Sequence, residues 1–193
     1  MQWIVAGFPP ARLELWSCRR DNTGGGPRPA DRRDRYERVV ASEPPGPPQL
    51  DGPFTRVAAA ILDYRVFPPG LIEGVLARRP VEVGDTVGVL CHFVPGVDLF
   101  FAARVIERFA DRQGPLWRAG FTYRTLEGHP ECGEETFVVE KDEVSGQVLA
   151  TLRSWSRPGL RITRIAGPFT RWYQVRASHL ALDSLERVAK AAG

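Results

Sequence analysis

The spacing of apolar residues along this chain changes period twice. Within Phe54–Tyr64, the positions Phe54, Val57, Ala58, Ile61 and Leu62 recur every three or four residues, which predicts a helix with one buried side. Pro68-Pro69 stops it soon after. From Thr86 the period falls to two: Thr86–Val94, Leu99–Phe109, Leu116–Leu126, Glu135–Lys141 and Gln147–Trp155 alternate or are apolar on both faces. Pro95-Gly96, Gln113-Gly114-Pro115, Gly128–Gly133 and Ser145-Gly146 separate them, so these strands are expected to follow one another as antiparallel hairpins. A short strand is expected at Tyr36–Val40, and one or two more within Gly70–Val83. After Arg157-Pro158 the helical period returns. Ile162, Ile165, Ala166 and Phe169 share a face, and Gly167-Pro168 marks a kink or break. Ala177, Leu180, Ala181, Leu185, Val188, Ala189 and Ala192 then form the stripe of a long C-terminal helix.

A sheet face and a helix stripe of this kind must be buried against each other. The expected class is α+β, a curved antiparallel meander wrapped on the long C-terminal helix. That is the helix-grip topology of START-like ligand binders, in which a cavity forms between sheet and helix; topology alone does not fix function. Residues 54–193 are expected to form this single domain, with residues 1–53 as an N-terminal extension. Trp3, Ile4, Val5, Phe8, Leu13, Leu15 and Trp16 make the first eighteen residues too apolar for a free tail, so they are expected to dock as a strand or irregular segment. Residues 19–35 carry no apolar side chain beyond Ala30 and prolines, which predicts a mobile loop. Ala41 to Pro53 reads as a proline-rich connector.

Composition narrows the function classes. Of 193 residues 43% are hydrophobic and 25% charged, the balance of a soluble globular protein. No apolar run approaches the roughly 20 residues that span a bilayer, and the N-terminal segment lacks the basic leader of a secretory signal, so cytoplasm is the expected compartment. Cys18, Cys91 and Cys132 are odd in number and far apart, which speaks against a disulfide framework or a structural zinc site. The net charge of +3 is unevenly spread. Residues 19–35 hold six arginines against three aspartates, residues 127–143 seven acids against one lysine, and residues 153–193 eight bases against two acids. Without an aromatic-basic stacking motif this polarity does not point to nucleic acid.

Three segments carry a family resemblance. Gly120-Phe-Thr-Tyr-Arg-Thr-Leu-Glu-Gly-His-Pro-Glu-Cys-Gly-Glu-Glu-Thr-Phe137 resembles the G-x-x-Y-G-T-L-x-G-H-x-x-x-G-E-E-x-F stretch of the family called domain of unknown function 1990. Ser154-Trp-Ser-Arg-Pro-Gly159 is similar to its S-F-S-[RK]-P-A element, and Ile165-Ala-Gly-Pro-Phe-Thr-Arg-Trp-Tyr-Gln174 to its G-P run with the terminal glutamine. The likeness runs from near Phe54 to the end of the chain. It departs at Arg124, where the family has glycine, and at Gly159, where it has alanine. The family brings no established activity; the resemblance implies a START-like or lipid-binding fold.

The candidate chemistry sits in and around the first of these segments. His129, Glu131, Cys132, Glu134 and Glu135 include usual metal donors, but no helical i,i+4 pair accompanies them, and no metal or other cofactor is expected. His129 with Glu134 or Glu135 is the candidate acid–base pair, because a carboxylate can orient an imidazole. No phosphate-cradling loop, nucleophile elbow or dinucleotide fingerprint is present. Arg157, Arg161 and Arg164 read as partners for Glu134 or Glu135, or for an anionic ligand head. The expected function is binding of a small hydrophobic or amphiphilic molecule, with Phe121, Tyr123, Phe137, Trp155 and Leu180 as walls, His129, Glu134 and Arg157 as polar fixtures, and Gln174 at the pocket mouth. The alternative is an enzyme of hydrolase, cyclase or isomerase type acting through His129 and Glu134 or Glu135. Oligomeric state is left open.

Overall fold

The computed structural model describes residues 9–94, 97–159 and 167–191. Its elements in chain order are α1 (Pro9–Ser17), β1 (Arg32–Ser42), α2 (Pro53–Leu62), β2 (Ile72–Val75), β3 (Thr86–Val94), β4 (Val97–Gln113), β5 (Leu116–Thr125), β6 (Glu131–Asp142), β7 (Gln147–Pro158) and α3 (Gly167–Lys190). The seven strands form one antiparallel sheet in the order β1-β7-β6-β5-β4-β3-β2. The expected α+β helix-grip class is therefore the observed one: a meander from β2 to β7, closed at its far edge by β1, with the long helix on one face. Bulges at Val39/Ala41, His92/Val94 and Val105/Glu107 bend the strands.

Strand alternation divides the sheet into two faces. On the inner face Phe121, Phe137, Val139, Ala150 and Leu152 are buried against α2 and α3. The inner cover is thus shared: α2 lies over β5, β6 and β7, while α3 packs on α2 and along β1. On α3 the expected stripe is buried at Ala177, Ala181, Leu185 and Ala189, with Leu182 and Ser184 beside it, whereas Leu180 and Val188 stay half-buried. Ala192 and the expected face of Ile162, Ile165 and Ala166 lie outside the described residues, while Gly167 opens α3 and Pro168 sits in its first turn. Pro at that point lacks only an N–H that the first helical turn leaves unpaired anyway.

The described residues before Phe54 pack on this body. β1 pairs with β7 along its length, and its strand begins at Arg32, four residues before the expected start. Of the first eighteen residues, expected to dock as a strand or irregular segment, the described ones form α1, which lies on the outer face, where Leu13 and Trp16 pack on Leu90, Phe100, Ala102 and Leu126. Between α1 and β1 the polar segment expected to be mobile is stitched to the β5–β6 turn. Asn22 N–H donates to Thr125 O at 3.2 Å and its side-chain amide to Glu131 O at 3.1 Å. Arg157 binds Asp31 at 2.7 Å and also the carbonyl of Thr23, which is itself buried. Hydrogen bonds from a neighbouring loop hold what apolar burial does not. Among the described residues no helix is long and apolar enough to cross a membrane.

Candidate functional site

Cross-strand register arranges the inner face in rows. One row is apolar: Tyr36 on β1, Leu152 on β7, Phe137 on β6 and Phe121 on β5. The next, two residues along each strand, is polar: Asp34, Ser154, Glu135 and Tyr123. A third holds Arg32, Ser156 and Gly133. The change from apolar to polar occurs beneath the N-terminal half of α3, where Arg171 and Gln174 reach β1.

The apolar row is filled. Phe121 and Phe137 are fully buried and form a ring cluster with Tyr64, Phe67 and Tyr123 at centroid distances of 5.4–6.3 Å. Tyr64 enters this cluster from the C-terminal end of α2 with φ of +53°, a left-handed conformation that is uncommon for a side-chain-bearing residue. Its hydroxyl lies beside that of Tyr123. Tyr123 in turn donates to Glu135 Oε2 at 2.7 Å. The polar row, by contrast, keeps accessible surface at Asp34, Ser154 and Glu135.

Electrostatics single out Glu135. Burial pushes its carboxyl up to about 7, the Tyr123 bond pulls it down, and nearby Asp34 pushes it up again. Burial also raises the phenols of Tyr64 and Tyr123, so both stay protonated donors. Asp34 is held by both guanidinium nitrogens of Arg171 at 2.7 and 2.8 Å, a fork that ties α3 to β1. Arg32 donates to Ser156 Oγ at 3.1 Å and Gln174 Oε1 at 3.0 Å, and stands 3.6 Å from Glu131. Burial raises the Glu131 carboxyl, with Arg32 opposing. Cys91, whose thiol burial also raises, meets the Tyr173 hydroxyl at 3.0 Å.

The residues singled out from the sequence separate. Glu134 and Glu135 are neighbours on β6, so their side chains leave opposite faces. Glu134 accepts from Arg124 Nε at 2.7 Å and from Trp155 Nε1 at 2.9 Å on the outer face. Trp155 and Arg157 share that outer face, because Leu152 and Ser154 of the same strand point inward, and neither lines the sheet–helix space. Arg157 pairs with Asp31 and not with Glu134 or Glu135; Arg161 and Arg164 lie outside the described residues. His129 is buried in the β5–β6 turn with its ring edge-on to Phe101 at 4.5 Å. Its Nδ1 lies 2.9 Å from the carbonyl oxygen and 3.0 Å from the backbone N–H of Glu131, and burial lowers its pKa to about 4, so it is neutral and bound within its own loop. It is bonded to neither Glu134 nor Glu135. Phe121 and Phe137 form a packed floor; Tyr123 stands in the polar row, Gln174 reaches Arg32, and Leu180 is half-buried on α3.

Asp34, Arg32 and Tyr64 join the site unannounced by the sequence reading, and Glu131, singled out there only among possible metal donors, joins it beside Arg32. Continuing the alternation of Tyr36 and Arg38 back through Arg32 and Asp34 would have put the last two on the inner face; nothing local marks Tyr64. Among the described residues no group of three His, Cys, Asp or Glu side chains stands together as a metal site would require.

Against known proteins, the profile of the family described as Domain of unknown function (DUF1990) matches residues 21–184. A protein of Dictyostelium discoideum named UPF0548 protein is 30% identical over 146 residues, which cover 72% of this chain and 66% of that one. The chain thus spans just under two thirds of that relative's length. Among solved structures, hypothetical protein jhp0584 from Helicobacter pylori aligns over 82% of this chain and 86% of its own, at 10% identity and a TM-score of 0.52. Protein NE0264 from Nitrosomonas europaea aligns over 82% and 94%, at 11% identity and a TM-score of 0.51. At such identities the likeness is one of fold.

Proposed function

This chain belongs to the DUF1990 family, a domain of unknown function, and from that premise we propose that it binds a small amphiphilic molecule between the inner sheet face and α3. The apolar part lies against Phe101 and Leu180, and the polar end meets Glu135. One observation carries this reading: on the inner face, beside a closed aromatic floor, the carboxyl of the half-buried Glu135 has Tyr123 as its one hydrogen-bond donor among the described residues. A carboxylate has room for several donors, and a ligand hydroxyl or ammonium supplies one. Apolar walls with a few placed polar groups are the usual make-up of small-molecule sites.

The test is native mass spectrometry of the protein purified from its own host, with Glu135→Gln alongside. A retained small molecule is expected with the parent, and about tenfold less with the variant, as loss of a charge-assisted bond implies. A spectrum of the bare chain only, or equal retention by both, overturns the reading.

Acid–base catalysis at the same place is the second reading, favoured by the Glu135 carboxyl titrating at about 7. Such a group takes and returns a proton at neutral pH, and Tyr123 holds it in position. The pair would be Glu135 with Tyr123 instead of Glu135 with His129. Turnover of the retained molecule should then lose a pH limb near 7 in Glu135→Gln; an unchanged profile excludes it.

A further inference from the structure

The outer face of the sheet carries a separate groove of about 360 Å³, lined by Pro27, Arg33, Glu134, Thr136, Arg153 and Trp155, with the backbone of β1 and β7 as its floor. We propose that this groove is a second ligand site, for a small flat aromatic molecule bearing a doubly charged anionic group of the phosphate type.

The argument begins with the register of β1 on β7. Arg33 stands opposite Trp155, and Arg35 opposite Arg153. Side chains on one face at diagonal positions of an antiparallel pair lie roughly 7–8 Å apart, so Arg33 and Arg153 flank the same patch. Like charges at such positions repel unless something answers them. Arg35 is answered by Glu37 at 2.7 Å. Among the described residues the guanidinium groups of Arg33 and Arg153 make no hydrogen bond or ion pair.

The acids nearby are already engaged. Glu134, the acidic side chain in the lining, is bound by Arg124 at 2.6 Å and by the Trp155 indole N–H at 2.9 Å. Asp34 contributes backbone alone, since its carboxylate is turned inward onto Arg171. The groove therefore presents two unmatched positive charges and no unmatched negative one. Two guanidinium forks lining one groove match a dianion with several acceptor oxygens. Trp155 supplies an aromatic wall, held by its bond to Glu134 and by the Arg157 guanidinium 5.5 Å from its ring; such a wall favours a flat ring over an aliphatic chain. The volume is at the small end of ligand sites. This site lies across the sheet from Glu135 and shares no side-chain contact with it.

Isothermal titration calorimetry with naphthyl phosphate tests the proposal, with naphthol and inorganic phosphate as the two halves of the probe. Parent protein should bind naphthyl phosphate at low salt, bind inorganic phosphate more weakly, and bind naphthol not at all. Arg33→Gln and Arg153→Gln should each weaken naphthyl phosphate by about tenfold, the size of one charge-assisted contact. Both arginines are exposed, so neither variant threatens the fold. Arg78→Gln, remote and paired with Asp85, should bind as the parent does. No heat with naphthyl phosphate, parent-like binding by both variants, or naphthol binding as tightly as its phosphate overturns the proposal.

Discussion

Tyr123 on β5 and Glu135 on β6 are directly opposed in register, with the phenol donating to the carboxylate at 2.7 Å. That bond favours the charged carboxylate, yet burial outweighs it and the group titrates at about 7 instead of 4.5. Between those values the folded protein holds a proton that the unfolded chain has released, so the contribution of Glu135 to stability falls as pH rises through this window. His129 acts in the opposite sense. Its pKa drops from 6.5 to about 4, so its contribution is present above 6.5 and is lost as pH falls toward 4.

Glu135→Gln should separate the two. Relative to the parent it should gain stability on going from pH 4.5 to above pH 7, by about 2 kcal/mol after allowing for residual solvent contact. Its own stability should then fall on acidification below 6.5, as His129 requires. Urea denaturation across this range is the check. A difference between variant and parent that does not change with pH would contradict the assignment.

Lys141 and Glu43 form a second buried knot. The fully buried ammonium donates to the carbonyls of Pro44, Gly46 and Pro47 at 3.1, 2.6 and 3.0 Å and lies 3.4 Å from Glu43. Glu43 in turn accepts from the backbone N–H groups of Gln49 and Phe54. β6 thereby holds the connector that leads into α2. Lys141→Met leaves three carbonyls without their donor and Glu43 without its counter-charge, and should destabilise by about 3–5 kcal/mol. The double variant with Glu43→Gln should lose less than the two singles added together. A loss below about 1 kcal/mol in equilibrium unfolding would show the knot to be slack.

Gly120 stands opposite Val138, and a Cβ there would come within 2.1 Å of the Phe137 carbonyl oxygen and 3.0 Å of the Phe109 ring. Because the nearer atom is backbone, no side chain can swing aside. Gly120→Ala should destabilise by about 2–3 kcal/mol, as overpacking does, read as a lowered thermal midpoint.

Leu185 on α3 is fully buried, whereas Leu180 on the same helix is half-buried. Leu185→Ala should destabilise by about 2–5 kcal/mol and Leu180→Ala by much less. Ligand retention should respond in the reverse order, falling in Leu180→Ala. Equal stability losses in denaturant would place Leu180 in the core and remove it from the site.

Periodicity made the architecture legible. The strands at 86–94 and 147–155 and the helix near 54–62 were readable because each buries one side, and burial of one side imposes a period of two or 3.6 on the sequence. Arg32 to Arg35 escaped because both faces of that part of β1 are polar: Asp34 is answered by Arg171 from a helix far along the chain, so no apolar alternation marks the strand. The polar segment 19–31 is likewise held from far along the chain, by groups around the β5–β6 turn and by the Arg157 side chain.

The site itself shows where local pattern stops. That a histidine and several carboxylates cluster between residues 129 and 135 is plain from the chain. Which of them face each other is a matter of strand parity and register: one residue separates Glu134, bonded to Trp155 outside, from Glu135, bonded to Tyr123 inside. Glu135 draws its raised pKa from burial and from Asp34 a hundred residues upstream, and Tyr64 reaches its partner Tyr123 from the end of α2. Side-chain type and spacing are properties of neighbours along the chain and settle the elements. Proton affinity and ligand contact are properties of neighbours in space, and packing alone assembles those.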